Sequence, residues 1–161
     1  MTNRDILAAS VERSVKVAGS GAQQDLLGLL GIFKDKLLEQ LRGADVPGVM
    51  ASTFIMRGDD MVGPGMALAL QDRLILGWQK GLFRKSVLTV LPMSSITRVE
   101  SGGKPKKLGT KPLAPLRVIG NEPWELLFTQ DAPDLALRDT LSELLSGSLT
   151  MDQLPEGARR S

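Results

Sequence analysis

The sequence predicts a mainly β protein with flanking helices, which belongs to the α+β class. Seven antiparallel strands are expected to form a sandwich or partly open barrel, which two N-terminal helices precede and a C-terminal helix caps. The spacing of apolar residues predicts this arrangement. They recur with helical spacing up to about residue 42 and again after residue 130, and between these segments they occur in short runs bounded by glycine, proline and aspartate.

The first helix is expected at residues 4–18, with Asn3 as its N-cap, and the second at residues 23–42. Gly28 and Gly31 inside the second helix indicate either close backbone packing or a frayed first turn. The apolar stripe of this helix is too wide for one neighbour, so we expect it to contact the domain on one side and the first helix or another subunit on the other. The anchors of such a protein interface would be Leu26, Leu29, Leu30, Phe33 and Leu37.

The strands are expected about ten residues apart, with links short enough for antiparallel hairpins. They cover residues 50–57, 66–71, 74–80, 86–91, 96–101, 113–119 and 124–129. Asp131 is the expected N-cap of the last helix, which Gly147 ends and which would cover the open end of the sheet. The chain is thus predicted to contain a helical extension (1–45), a strand-rich domain (46–147) and a flexible tail (148–161).

The composition argues against an enzyme. Cysteine, histidine and tyrosine are absent from the 161 residues, which removes the thiolate nucleophile, the commonest general base and the commonest metal ligands. The one pair of adjacent carboxylates in the sequence, Asp59 and Asp60, lies in a glycine- and proline-containing loop typical of a turn. We therefore expect a non-catalytic protein without a cofactor or a metal site.

Positive charge is concentrated between residues 72 and 117, where ten basic residues face only two acidic ones. One basic group occupies a predicted turn and consists of Lys80, Arg84 and Lys85. A second group occupies a loop rich in glycine and proline and consists of Lys104, Lys106, Lys107 and Lys111. Either group could bind an anionic ligand such as a lipid surface, or could simply solvate its loop. Nucleic acid is not favoured, because Phe83 is the single aromatic residue in these loops and no helix is strongly basic.

Three short segments of the strand region resemble bacterial pleckstrin-homology-like domains. Residues 70–77, LQDRLILG, are similar to a strand–turn–strand with the pattern L-T-D-R-R-L-I in that family. Residues 81–85, GLFRK, resemble its G-L-F-R-K turn, and residues 91–99, LPMSSITRV, resemble its I-P-L-S-R-I-x-x-V segment. The resemblance covers about residues 46–146. It implies a seven-stranded, partly open barrel capped by a C-terminal helix, and it implies neither an enzymatic activity nor a single ligand.

The first hairpin departs from that family in a way that bears on function. Members that bind phosphoinositides typically place lysines and arginines around this hairpin. Here it contains Asp59 and Asp60, with only Arg57 at its edge. Because two carboxylates repel a lipid phosphate, the usual headgroup site is not expected.

Two hypotheses for function follow from the sequence. In the first, the chain is a protein-binding or self-assembling module that uses its N-terminal helices. In the second, it is a peripheral membrane module whose basic loops bind anionic lipid. The first 25 residues carry regularly spaced charges rather than a secretion signal, and no apolar stretch approaches the ~20 residues that span a bilayer. We therefore expect a cytoplasmic protein, which the second hypothesis places at the inner face of the membrane.

Overall fold

The computed structural model describes residues 1–156 and has an α+β fold built on an open antiparallel sheet. The strands in this part of the chain are β1 (Val49–Arg57), β2 (Asp60–Ala69), β3 (Arg73–Lys80), β4 (Lys85–Pro92), β5 (Arg98–Ser101), β6 (Lys106–Leu108), β7 (Lys111–Ile119) and β8 (Pro123–Phe128). The helices are α1 (Asn3–Ala18), α2 (Gln23–Gln40) and α3 (Ala132–Ser146). The predicted fold class is confirmed, and each of the seven predicted strands overlaps an observed one.

The strands follow the order β4-β3-β2-β1-β8-β7-β5, so β4 and β5 form the two edges of the sheet. Successive hairpins place β1 to β4 side by side, with antiparallel pairing throughout. β8 then returns to β1 and pairs with it from Phe54↔Leu127 to Arg57↔Trp124. β6 lies off this path and pairs with β7.

Two strands differ from the prediction. β2 begins at Asp60 rather than near residue 66, so the loop expected over residues 58–65 is a tight turn at Gly58 and Asp59, with Gly58 at a φ of 62°. The eighth strand, β6, was not predicted at all. It has three residues, two of them lysines, and so short a polar strand leaves no alternating apolar pattern in the sequence.

Alternate residues of β1, β2 and β3 are buried on opposite faces of the sheet, so these strands have apolar cores on both sides. On the inner face the rings of Trp78 and Trp124 lie 5.9 Å apart between centroids, and Leu137 and Leu141 of α3 belong to the same cluster. On the outer face α1 and α2 form the second core with the sheet. The two cores therefore lie on opposite sides of β1, β2 and β3, and the β3–β4 turn lies outside both.

Helix α2 approaches β3 closely at one point. A Cβ added to Gly77 would lie 3.2 Å from ring carbons of Phe33 and 2.8 Å from a methyl carbon of Leu88, so a larger residue would force repacking. A Cβ on Gly28 or Gly31 of α2 would meet nothing within 4 Å, and both glycines are exposed. Of the two interpretations of these glycines, close backbone packing is therefore wrong. α2 uses its wide apolar stripe to contact α1 and the sheet.

The beginning of α1 is tied to the end of α2. Thr2, rather than Asn3, is the N-cap of α1: its hydroxyl accepts a hydrogen bond from the backbone N–H of Asp5 at 3.2 Å. The side-chain amide of Asn3 instead donates to the carbonyls of Leu38 at 3.3 Å and Leu41 at 3.1 Å. Asn3 thus satisfies one carbonyl group in the last turn of α2 and that of the residue that follows the helix.

The first part of the predicted tail packs on the domain. Met151 is 8% exposed and belongs to the inner core, and the Arg13 side chain of α1 donates a hydrogen bond to the carbonyl of Pro155 at 2.9 Å. The predicted tail therefore contacts the domain at Met151 and Pro155. Residues 157–161 lie outside the described residues.

Candidate functional site

The β3–β4 hairpin ends in a four-residue turn, Gly81–Leu82–Phe83–Arg84, that projects into solvent. Lys80 and Lys85 pair directly across the hairpin below this turn, and the N–H of Arg84 donates to the carbonyl of Gly81 at 3.1 Å. Leu82 is 98% exposed and Phe83 is 97% exposed. We call these two residues the apolar tip, and Lys80, Arg84 and Lys85 the basic collar.

The basic collar carries three positive charges at the end of the hairpin. All three residues are exposed, and within residues 1–156 none of them forms an ion pair. Lys80 and Lys85 lie directly opposite each other on neighbouring strands. Like charges in this position repel each other and destabilise a hairpin. The collar therefore contributes a positive field that the described part of the fold does not neutralise.

The second basic group predicted from the sequence is partly neutralised within the chain. Lys106 Nζ lies 2.7 Å from Glu125 Oε1, and Arg117 Nε donates to Glu125 Oε2 at 3.1 Å. These side chains, with Glu100 and Lys104, border a cleft of about 460 Å³ on the outer face of β7 and β8. Lys104, Lys107 and Lys111 are exposed, but the cleft beside them contains both signs of charge.

The structure does not bring the two basic groups together. The collar belongs to β3 and β4 at one edge of the sheet, whereas Lys104 to Lys111 belong to the connection between β5 and β7 at the other edge. Strands β2, β1 and β8 lie between β3 and β7. The two groups are therefore separate surfaces.

Arg73, another basic residue of the positive segment between residues 72 and 117, stabilises the fold. Arg73 is 6% exposed, and its two terminal nitrogens donate to the two carboxylate oxygens of Asp45 at 2.9 and 2.8 Å. It also donates to Asp72 at 2.7 Å and to the carbonyl of Gln40 at 2.8 Å. Hydrogen bonding to Asp45 raises the pKa of Arg73, and the same bond lowers the pKa of the Asp45 carboxyl. Arg73 fastens the end of α2 and the following loop to the β2–β3 turn.

Three of the five predicted interface anchors are in the interior of this chain. Leu26, Phe33 and Leu37 are at most 1% exposed and belong to the outer core, so a partner cannot reach them without unfolding α2; for these three the interface prediction is corrected. The physical reason is that the side of α2 that carries them faces its own sheet and α1. Leu29 and Leu30 are half-buried.

The apolar tip was not among the predicted site residues, although Phe83 is the single aromatic residue of the basic loops. Residues 81–85 were interpreted as a turn in which Arg84 and Lys85, and not the apolar residues, were the candidate ligand-binding side chains. The available signal was the presence of two neighbouring large apolar residues in a predicted turn, between Gly81 and Arg84.

No helix in residues 1–156 is long and apolar enough to cross a membrane. No family model matches this chain, and no curated protein does. Among solved structures, the chain is similar to one described as "Vps36 N-terminal PH domain", with 15% sequence identity and a TM-score of 0.42. That match covers 64% of this chain and 86% of the other. We therefore infer the function from the chain's own side chains.

Proposed function

We propose that this chain is a non-catalytic peripheral module that binds anionic membrane surfaces through the β3–β4 hairpin. The observation that carries the proposal is the basic collar: three exposed cations close together, without a carboxylate partner in residues 1–156. A basic residue near an anionic lipid surface contributes about 1 kcal/mol of binding free energy. Three such residues therefore suffice for weak, reversible attachment.

The collar is a better candidate than the second basic group. Glu125 and Glu100 border the cleft beside Lys104 and Lys106, and Lys106 already contacts Glu125. An anionic surface would have to compete with those carboxylates. At the collar it would instead relieve the repulsion between Lys80 and Lys85.

The membrane proposal also has more support than a protein interface on the N-terminal helices. The interior position of Leu26, Phe33 and Leu37 removes three of the five predicted anchors of that interface. Leu27 and Ile32, which are 49% and 46% exposed, are the large apolar side chains that α2 leaves open. Nothing on that face identifies a partner for them.

Flotation of the purified chain with lipid vesicles tests the proposal. Vesicles of phosphatidylcholine mixed with phosphatidylglycerol should carry the protein upward at low salt, and pure phosphatidylcholine vesicles should not. Binding should weaken steadily as salt is added, because exposed charges are screened over about 10 Å at 0.1 M ionic strength. Absence of binding to the anionic vesicles at low salt would overturn the proposal and return protein partners to first place.

A further inference from the structure

We infer that Leu82 and Phe83 insert into the bilayer, so that the ligand of the hairpin is the lipid interface itself and not only its surface charge. This inference rests on the proposed function and adds the part of the lipid that the apolar tip would contact. The two side chains are the most exposed large apolar residues among residues 1–156; the next, Met1, is 68% exposed. In water their exposure stabilises nothing.

Three features that disfavour folding occur together in and beside this turn. The apolar tip is almost wholly in water. Lys80 faces Lys85. Arg84 has a φ of 48°, a left-handed conformation that is strained for a residue with a side chain and that glycine or asparagine adopts more readily. The requirements of a stable hairpin therefore do not account for this turn, whereas contact with a membrane uses all of its side chains.

The spacing of the side chains matches the layers of a membrane surface. Lys80 lies two residues before Leu82, and Arg84 and Lys85 follow Phe83 directly, so the collar is within about 7 Å of the tip along an extended chain. Interfacial segments bury their apolar side chains about 5–10 Å into the boundary between headgroups and acyl chains. With the tip at that depth, the collar reaches the phosphate layer, where long basic side chains keep their charges solvated.

The hairpin is also free to approach a membrane edge-on. β4 is an edge strand, so within residues 1–156 no further strand of the sheet flanks the turn on that side. The turn belongs to neither apolar core, and insertion therefore needs no rearrangement of buried contacts. An acidic protein surface would pair with the charges of the collar but would give the apolar tip no comparable partner. The experiment below distinguishes binding to such a surface from insertion into a membrane.

A single fluorescent label reports insertion directly, because the natural sequence contains no cysteine. Leu82→Cys is labelled with an environment-sensitive dye, and Leu108→Cys, in β6 beside the second basic group, is the matched control. With vesicles of phosphatidylcholine and phosphatidylglycerol, the label at position 82 should shift to shorter wavelength and be quenched by nitroxides attached to the acyl chains. The label at position 108 should do neither.

A second variant keeps all charges and removes the apolar tip. Leu82→Ser combined with Phe83→Ser should weaken binding to the same vesicles by roughly 100-fold or more, since each side chain loses its burial in the interface. The melting temperature should stay unchanged, because neither side chain packs on the fold.

The outcomes separate the inference from the proposed function. If the wild-type chain floats with anionic vesicles but the label at position 82 stays silent and the double serine variant binds as tightly, insertion is wrong and electrostatic binding stands. If the label responds equally to a soluble polyanion such as heparin, insertion is likewise wrong. If the wild-type chain does not float at all, both proposals fail.

Discussion

The two ends of strand β3 use positive charge in opposite ways. At its beginning Arg73 is 6% exposed and donates hydrogen bonds to both carboxylate oxygens of Asp45. At its end Lys80 is exposed and faces Lys85 across the hairpin, and neither lysine has an ion-pair partner within the described chain. The first end therefore holds the fold together, and the second end presents charge to its surroundings.

This difference shows that the number of basic residues in a segment does not measure how many exposed, unpaired charges it offers to a binding partner. Arg73, Lys80 and Lys106 all belong to the positive segment between residues 72 and 117. Within the part of the chain that the structure describes, carboxylates neutralise Arg73 and Lys106 but not Lys80. We therefore assign binding to the end of β3 where charge is exposed and unpaired.

The largest expected effect on stability is at the beginning of β3, where Arg73 is buried. Arg73→Ala should lower the free energy of unfolding by about 3–5 kcal/mol, because it leaves the Asp45 carboxylate, 11% exposed, without its cation. Chemical denaturation measures this loss. The matched control is Arg98→Ala, which removes an exposed ion pair with Glu100 and should cost no more than about 1 kcal/mol. Equal losses in the two variants would contradict the contrast between buried and exposed charge.

Because of the Arg73–Asp45 pair, we expect the fold to lose stability in acid. Hydrogen bonding from Arg73 holds the pKa of Asp45 below its ordinary value of 3.8. The stability from this pair is therefore fully present above that value and is lost as the pH falls through the lower pKa of the folded state. Urea unfolding from neutral pH downward measures the loss.

Asp45→Asn isolates this contribution, because its acid profile lacks the titration of Asp45. The comparison of the two profiles is needed because Asp134 changes stability with pH in the opposite direction to Asp45. Burial raises the pKa of the Asp134 carboxyl. If wild type and Asp45→Asn lose the same stability between about pH 5 and about pH 2, the proposed role of the Arg73–Asp45 pair is wrong.

The smallest change in stability is expected at the exposed end. Lys80→Glu places a carboxylate opposite Lys85, which should stabilise the fold by about 0.2–1 kcal/mol. The same change should weaken binding to anionic vesicles by at least about tenfold. Lys80→Gln, which removes the repulsion without adding an attraction, should lie between. A variant that folds less stably, or that binds as tightly as wild type, would show that the collar does not trade stability for binding.

Most of the fold could be predicted from the sequence, because each element carries a local signal. Apolar residues change from helical spacing to short runs near residue 48, and glycine, proline and aspartate separate the runs. β6 could not be predicted, since Lys106 and Lys107 form a strand only through pairing with β7.

The candidate site could be predicted only in part, because availability depends on tertiary contacts. Lys80, Arg84 and Lys85 were identified from their charge, but the neutralising contacts of Arg73 with Asp45 and of Lys106 with Glu125 join residues far apart in the chain. In α2, the helical period identified the apolar stripe correctly. It could not show that the sheet of the same chain already covers Leu26, Phe33 and Leu37.

The most direct test of the account compares two double variants with the same change in net charge. Lys80→Glu/Lys85→Glu reverses the collar and keeps like charges opposite each other, so its stability should stay close to wild type. Lys104→Glu/Lys107→Glu reverses two exposed lysines of the second basic group. Binding to vesicles of phosphatidylcholine and phosphatidylglycerol at low salt should fall at least about a hundredfold in the first variant and no more than about threefold in the second. Equal losses, or a larger loss in the second variant, would contradict the assignment of the membrane contact to the β3–β4 hairpin.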